Sequence, residues 1–104
     1  VEMYDPTILQ WNSLPNMSTN RLRCAAVSLG SKIYCIGGFD GTSHLDSVEM
    51  LDLETGIWTT LSKMLRKRSN CVAVAIPSTG KIFVAGGYDE QSFHDSAELN
   101  DVAT

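Results

Sequence analysis

Three cysteines, two histidines and a scatter of basic residues are the side chains of this 104-residue sequence that could do chemistry. Cys24, Cys35 and Cys71 are 11 and 36 residues apart, which fits no zinc pattern and is too sparse for a disulfide scaffold. Reduced thiols of an intracellular protein are therefore expected. No nucleophile and base stand at a recognisable spacing. Recognition chemistry is better represented. Six of the eight Lys and Arg residues (Arg21, Arg23, Lys63, Arg66, Lys67 and Arg68) fall in two stretches, 18–23 and 63–70. Two others, 39–45 and 88–94, hold Phe39, Asp40, Thr42, Ser43, His44, Tyr88, Asp89, Glu90, Gln91, Ser92, Phe93 and His94. Guanidinium forks beside hydroxyls and aromatic rings are the inventory for gripping an acidic peptide.

Composition narrows the classes further. Apolar residues are 43% and charged residues 19%, the balance of a globular chain. A net charge of −4 and a pI near 4.9 argue against a general nucleic-acid binder. No apolar run approaches the roughly 18 residues of a membrane span. The opening Val-Glu-Met-Tyr-Asp lacks a basic and an apolar region, so no signal peptide is expected.

The elements that must position these residues are repeated. A shift of 47 sets Val1-Glu2-Met3 on Val48-Glu49-Met50, Asp5 on Asp52, Trp11 on Trp58, Arg21 on Arg68 and Cys24 on Cys71. Past residue 76 the shift is 49, setting Gly37-Gly38-Phe39-Asp40 on Gly86-Gly87-Tyr88-Asp89 and Glu49 on Glu98. The two extra residues fall in a Pro-Ser-Thr-Gly stretch, as a hairpin tip tolerates. Each period holds four short apolar or alternating runs bounded by Gly, Ser, Asp and Thr, and no stretch sustains a 3.6-residue period. The expected fold is all-β, with four-stranded antiparallel blades stacked radially as a partial β-propeller. Small residues (Cys24, Ala25, Ala26, Ala73, Ala75) suit crowded inner strands, and Trp11 and Trp58 suit the widening gap at outer strands.

These residues resemble the kelch repeat over essentially the whole chain. The units read Arg21…Gly37-Gly38-Phe39-Asp40…Val48-Glu49-Met50-Leu51-Asp52…Trp58 and Arg68…Gly86-Gly87-Tyr88-Asp89…Glu98, preceded by Tyr4-Asp5 and Trp11. The resemblance is strongest to the Kelch-like BTB proteins. Leu51 stands where the family has Tyr, and Arg23 and Asn70 where it commonly has Gly. The expected units are the later half of a blade (1–20), a complete repeat (21–67) and a repeat lacking its last strand (68–104). Nine strands are too few to close a wheel, so the chain is expected to be part of a longer protein.

Strand alternation puts 18–23, 64–70, 39–45 and 88–94 on one rim. The expected partner-binding face is Arg21, Arg23, Arg66, Arg68, Ser69, Asn70, Phe39, Asp40, Ser43, His44, Tyr88, Gln91, Ser92 and Phe93. Other roles stay open: Arg21 and Arg68 recur and suit an internal salt bridge, and Asp40 and Asp89 suit capping a turn. His44 and His94 are out of register, against a shared metal site. The resemblance implies a non-catalytic module recognising a protein or acidic peptide, as the substrate-binding part of a cullin-3 RING ubiquitin ligase adaptor that meets the cullin through a BTB domain. It also allows actin binding, or a sugar-acting enzyme of the copper oxidase kind. No cofactor, metal, nucleic acid or membrane is expected, and the location implied is cytoplasmic, cytoskeletal or nuclear.

Overall fold

The computed structural model describes residues 1–102. The last two residues of the unit expected over 68–104 lie outside that range. Nine strands and no helix are found among the described residues. Strands β1 (Glu2–Asp5) and β2 (Gln10–Ser13) form a hairpin. Strands β3 (Ala25–Leu29), β4 (Lys32–Ile36), β5 (Val48–Asp52) and β6 (Ile57–Thr60) form a four-stranded antiparallel meander. Strands β7 (Val72–Ile76), β8 (Lys81–Ala85) and β9 (Ala97–Asp101) form a three-stranded one.

Period-two alternation sorts the residues of each sheet onto two faces. The register sets Ala25 beside Ile36 and Val48, and Val27 beside Tyr34 and Met50, so one apolar face of the second sheet looks toward the third. The third sheet answers with Ala73 beside Val84 and with Ile82, and Cys71 and Met64 complete the core. The inner strands β3 and β7 approach each other most closely of all elements in different sheets, which is where small side chains are needed. The two-residue insertion lies at the β7–β8 tip, where the Gly80 N–H closes a turn on the Ile76 carbonyl at 3.0 Å.

The outer strands behave less uniformly than the repeat suggests. Trp58 is half-buried, and its indole N–H donates to the Pro15 carbonyl at 2.8 Å, tying β6 to the connection that follows β2. Trp11, expected to fill a gap between blades, is instead 66% exposed and leans on Tyr4 at a ring separation of 5.3 Å. The reason is that β1 and β2 pair only with each other, so no inner strands back their faces. In the second sheet Leu51 occupies the place of Tyr4 and is 1% exposed, opposite Trp58. The apolar row Val74, Phe83 and Leu99 lies on the far face of the third sheet and is exposed.

Candidate partner-binding rim

The rim is held by one arginine per repeat. The Arg21 guanidinium donates to Glu49 at 2.9 and 3.0 Å, to the carbonyls of Gly37 and Ser47 at 2.9 and 3.0 Å, and to the Ser47 hydroxyl at 2.8 Å. Arg68 repeats this with Glu98 at 3.0 Å, the carbonyls of Gly86 and Ser96 at 2.8 and 2.9 Å, and the Ser96 hydroxyl at 2.8 Å. Both guanidiniums are 0% exposed. Each therefore staples the entry of its first strand to the end of the second and the start of the third. Arg21 and Arg68 leave the expected partner-binding set: a side chain with no accessible surface and its donors spent internally cannot meet a partner.

Burial pushes the Glu49 carboxyl up, but the Ser18 N–H and hydroxyl and the Arg21 guanidinium outweigh it and hold Glu49 below the ordinary carboxylate range. The unfolded chain then binds the proton more readily, so this contribution to stability is present above the unfolded pKa. It is lost as pH falls through the lower folded value. Thermal melts of the full-length protein are expected to drop as pH falls below about 4, and Glu49→Gln is expected to flatten that acid limb. An unchanged limb in the variant would mean other carboxylates set it.

Ser69 leaves the set as well. It is 0% exposed, and its hydroxyl donates to the Gly38 carbonyl at 2.9 Å while His44 Nδ1 lies 2.6 Å away. With its only proton on that carbonyl, the hydroxyl accepts from His44 Nδ1–H. The pair is thus a latch between two sheets, in the opposite proton sense to an activated nucleophile.

Asp40 and Asp89 cap the two rim turns identically. Asp40 accepts the N–H groups of Thr42 and Ser43 at 2.8 and 2.7 Å, and Asp89 those of Gln91 and Ser92 at 2.9 and 3.0 Å. These donors hold both carboxyls below their usual range. The turns present a ring ladder that crosses the blade junction. Phe39 and His44 are 4.9 Å apart, His44 and Tyr88 5.5 Å, and Tyr88 and Phe93 5.8 Å. Phe93 ends the ladder at 88% exposure. Isolated bridges from Phe39 to His44 and from Tyr88 to Phe93 make His44 and Phe93 structural equivalents, so His94 stands elsewhere. His94 Nε2 meets the Lys67 carbonyl at 2.9 Å and Asp89 at 3.6 Å.

Arg23 and Asn70, the two residues at the family's glycine position, have φ of +58° and +57°. Asn accepts this left-handed conformation through its short polar side chain; Arg does so at a cost. The Arg23 carbonyl takes the Asn70 N–H at 2.8 Å, and its guanidinium donates to the Tyr88 hydroxyl at 2.8 Å. Arg23→Gly is expected to raise stability by about 0.5–1 kcal/mol, the relief of left-handed strain less the added chain entropy of Gly. Chemical denaturation of the full-length protein checks this, and a net loss would mean the Tyr88 bond outweighs the strain.

Arg23, Lys63 and Arg66 are exposed, with no ion-pair partner found among the described residues; Lys67 lies 3.8 Å from Glu90. Ser43, Gln91 and Ser92 stand exposed on the turns, and a cleft of about 650 Å³ opens beside Phe39 and Asp40, lined by Asn16, Thr19, Asn20 and Leu22. Among the described residues no group of His, Cys, Asp or Glu is arranged to hold a metal. The sequence reading missed the His44–Ser69 latch and the Arg23–Tyr88 bond, because both join residues of different periods and neither pair recurs.

Repeated antiparallel sheets, stacked face to face through small inner strands and clasped by a buried Arg–Glu pair apiece, define a stretch of β-propeller blades. Residues 20–65 match the Kelch motif. The chain is 40% identical over 76 residues to Kelch repeat-containing protein kel-10 of Caenorhabditis elegans, 72% of this chain and 13% of that protein. A second Caenorhabditis elegans relative, named as a Kelch repeat and BTB domain-containing protein, matches to the same extent. Human Kelch-like protein 21 is 35% identical over 65 residues, 62% of this chain and 11% of its own length. The chain thus carries a Kelch motif over residues 20–65 and is similar to kelch-repeat proteins. It spans little more than a tenth of the length of these curated relatives.

Proposed function

We propose that this stretch of kelch repeats is a protein-interaction module whose rim grips an acidic peptide of a protein substrate. In that reading the longer protein is a cytoplasmic adaptor presenting the substrate to a cullin-3 RING ubiquitin ligase through a BTB domain. The observation that carries the rim assignment is the aromatic ladder from Phe39 to Phe93, with Arg23 hydrogen-bonded onto Tyr88. A half-buried aromatic row ending in the exposed Phe93, beside a guanidinium, offers the usual anchors of a protein contact. Arg66, Asn70, Ser43, Gln91 and Ser92 supply the polar surround, and Asp40 shapes the turn. The adaptor role is supported by the BTB domain in the name of the second Caenorhabditis elegans relative.

The test uses the purified full-length protein, a panel of acidic peptides and reconstituted cullin-3. Phe93→Ala is expected to weaken binding of the best peptide by about thirtyfold, the loss of an anchor worth about 2 kcal/mol. Co-sedimentation with actin filaments in place of cullin-3 binding would replace the adaptor reading with the cytoskeletal one.

A further inference from the structure

We propose that Leu65 and Phe93 form a two-point apolar grip, so that the acidic peptide held by the rim carries two large apolar side chains no more than about six residues apart. This adds Leu65, and a pattern for the peptide, to the rim reading above, on which it rests.

Leu65 and Phe93 are the two most exposed large apolar side chains among the described residues, at 89% and 88%. Apolar residues exposed singly are ordinary on a protein surface. What sets these two apart is the repeat. A shift of 47 sets Leu65 on Ser18, and the isolated bridges set Phe93 on His44. Both counterparts are polar and engaged within the fold. Ser18 donates its N–H and its hydroxyl to Glu49 Oε1 at 2.9 and 2.8 Å, and His44 Nδ1 lies 2.6 Å from the Ser69 hydroxyl. Leu65 keeps the backbone bond alone, its N–H donating to Glu98 Oε1 at 2.7 Å, and Phe93 keeps its ring against Tyr88. At both positions the side chain gives up an internal hydrogen bond and turns apolar surface to water. Exposed apolar surface does not stabilise a blade, so the gain lies in a contact outside it.

The two loops are clamped together. His94, next to Phe93, donates Nε2–H to the carbonyl of Lys67, two residues past Leu65, at 2.9 Å. The Lys67 ammonium lies 3.8 Å from Glu90, and Ser69 bridges to Tyr88. Along that path the Cα atoms of Leu65 and Phe93 are at most about 20 Å apart, the span of some six residues of extended chain. Lys63 and Arg66 flank Leu65 in the sequence, exposed and with no ion-pair partner found among the described residues. Their charge selects carboxylates around the apolar residue that meets Leu65. The occupant is therefore an acidic peptide of mixed pattern.

The test uses the full-length protein and short Asp- and Glu-rich peptides carrying Leu at two positions two to six residues apart, each compared with versions in which one Leu is Ser. The best two-Leu peptide is expected to bind about tenfold tighter than either one-Leu version. Leu65→Ser, which copies Ser18, is expected to lose that tenfold for the two-Leu peptide and nothing for the version lacking the Leu that meets it. Its thermal midpoint is expected to hold or rise. Hydroxyl-radical footprinting is expected to oxidise Leu65 in the free protein and to spare it in the complex. Equal binding of two-Leu and one-Leu peptides, an unaffected Leu65→Ser protein beside a weakened Phe93→Ala one, or Leu65 already shielded in the free protein would each overturn the grip and leave the rim reading standing. A lowered midpoint in Leu65→Ser would make Leu65 structural and also overturn the grip. Failure of every acidic peptide to bind would remove both.

Discussion

Gly37→Ala is expected to lower the unfolding free energy of the full-length protein by about 2–5 kcal/mol, combining left-handed strain with a forced overlap. Gly37 has φ +64°, and a Cβ there would fall on the carbonyl oxygen of Arg68 and within 3.1 Å of the Met64 terminal methyl. That carbonyl cannot retreat cheaply, because it accepts the Gly38 N–H at 2.9 Å while the Arg68 N–H donates to Leu45 at 3.0 Å. The third sheet is thus hung on the second by backbone bonds that a side chain would prise apart. Gly86, at the same place in the next repeat with φ +74°, has nothing within 4 Å of its would-be Cβ. In the structure as it stands Gly86→Ala costs the strain alone, about 1–2 kcal/mol. Equilibrium denaturation of both variants measures the difference. A Gly86 cost equal to that of Gly37 would report another repeat seated against β7–β9, and a Gly37 cost under about 1 kcal/mol would mean the two sheets do not pack this closely.

Arg68→Ala is expected to destabilise by about 3–5 kcal/mol, the usual cost of stranding one partner of a buried ion pair. Its removal leaves the carboxylate of Glu98, one-tenth exposed, facing the carbonyls of Gly86 and Ser96 with no cation to hold them together. Arg68→Lys is expected to recover little, since an ammonium cannot reproduce a fork that serves a carboxylate, two carbonyls and a hydroxyl at once. Because Arg68 is fully buried, any loss of partner binding should follow the loss of folded protein and vanish when corrected for it. Binding lost from a fully folded Arg68→Ala protein would return this residue to the rim. A stability change below about 1 kcal/mol would show that the staple is not formed.

Much of the fold was legible because a propeller blade is a local object. Strand, turn and strand follow one another in sequence, and a shift of 47 residues brings Trp11 onto Trp58 and Arg21 onto Arg68 whether or not they touch. The Asp40 and Asp89 turns were legible for the same reason, since their hydrogen bonds reach only two and three residues ahead. Partner-facing arginines were not. Arg21, Arg23, Arg66 and Arg68 are alike in the sequence, and clustering placed all four on the rim; two are buried staples and two are exposed. The repeat held a hint, because Arg21 and Arg68 recur together with Glu49 and Glu98, whereas Arg23 meets Asn70 at the next period.

By itself, then, the sequence determined the strands, their antiparallel order within each repeat and the glycine and arginine marks of the kelch repeat, all governed by alternation and the turn residues between runs. Only the tertiary structure decided which faces close on one another, which guanidiniums are consumed, and that Phe39, His44, Tyr88 and Phe93 join into one ladder. The physical reason is distance along the chain. Burial and cross-sheet hydrogen bonds such as Arg23 to Tyr88 join residues 65 positions apart, and no local periodicity encodes which of two identical side chains the folded core will shut away from water.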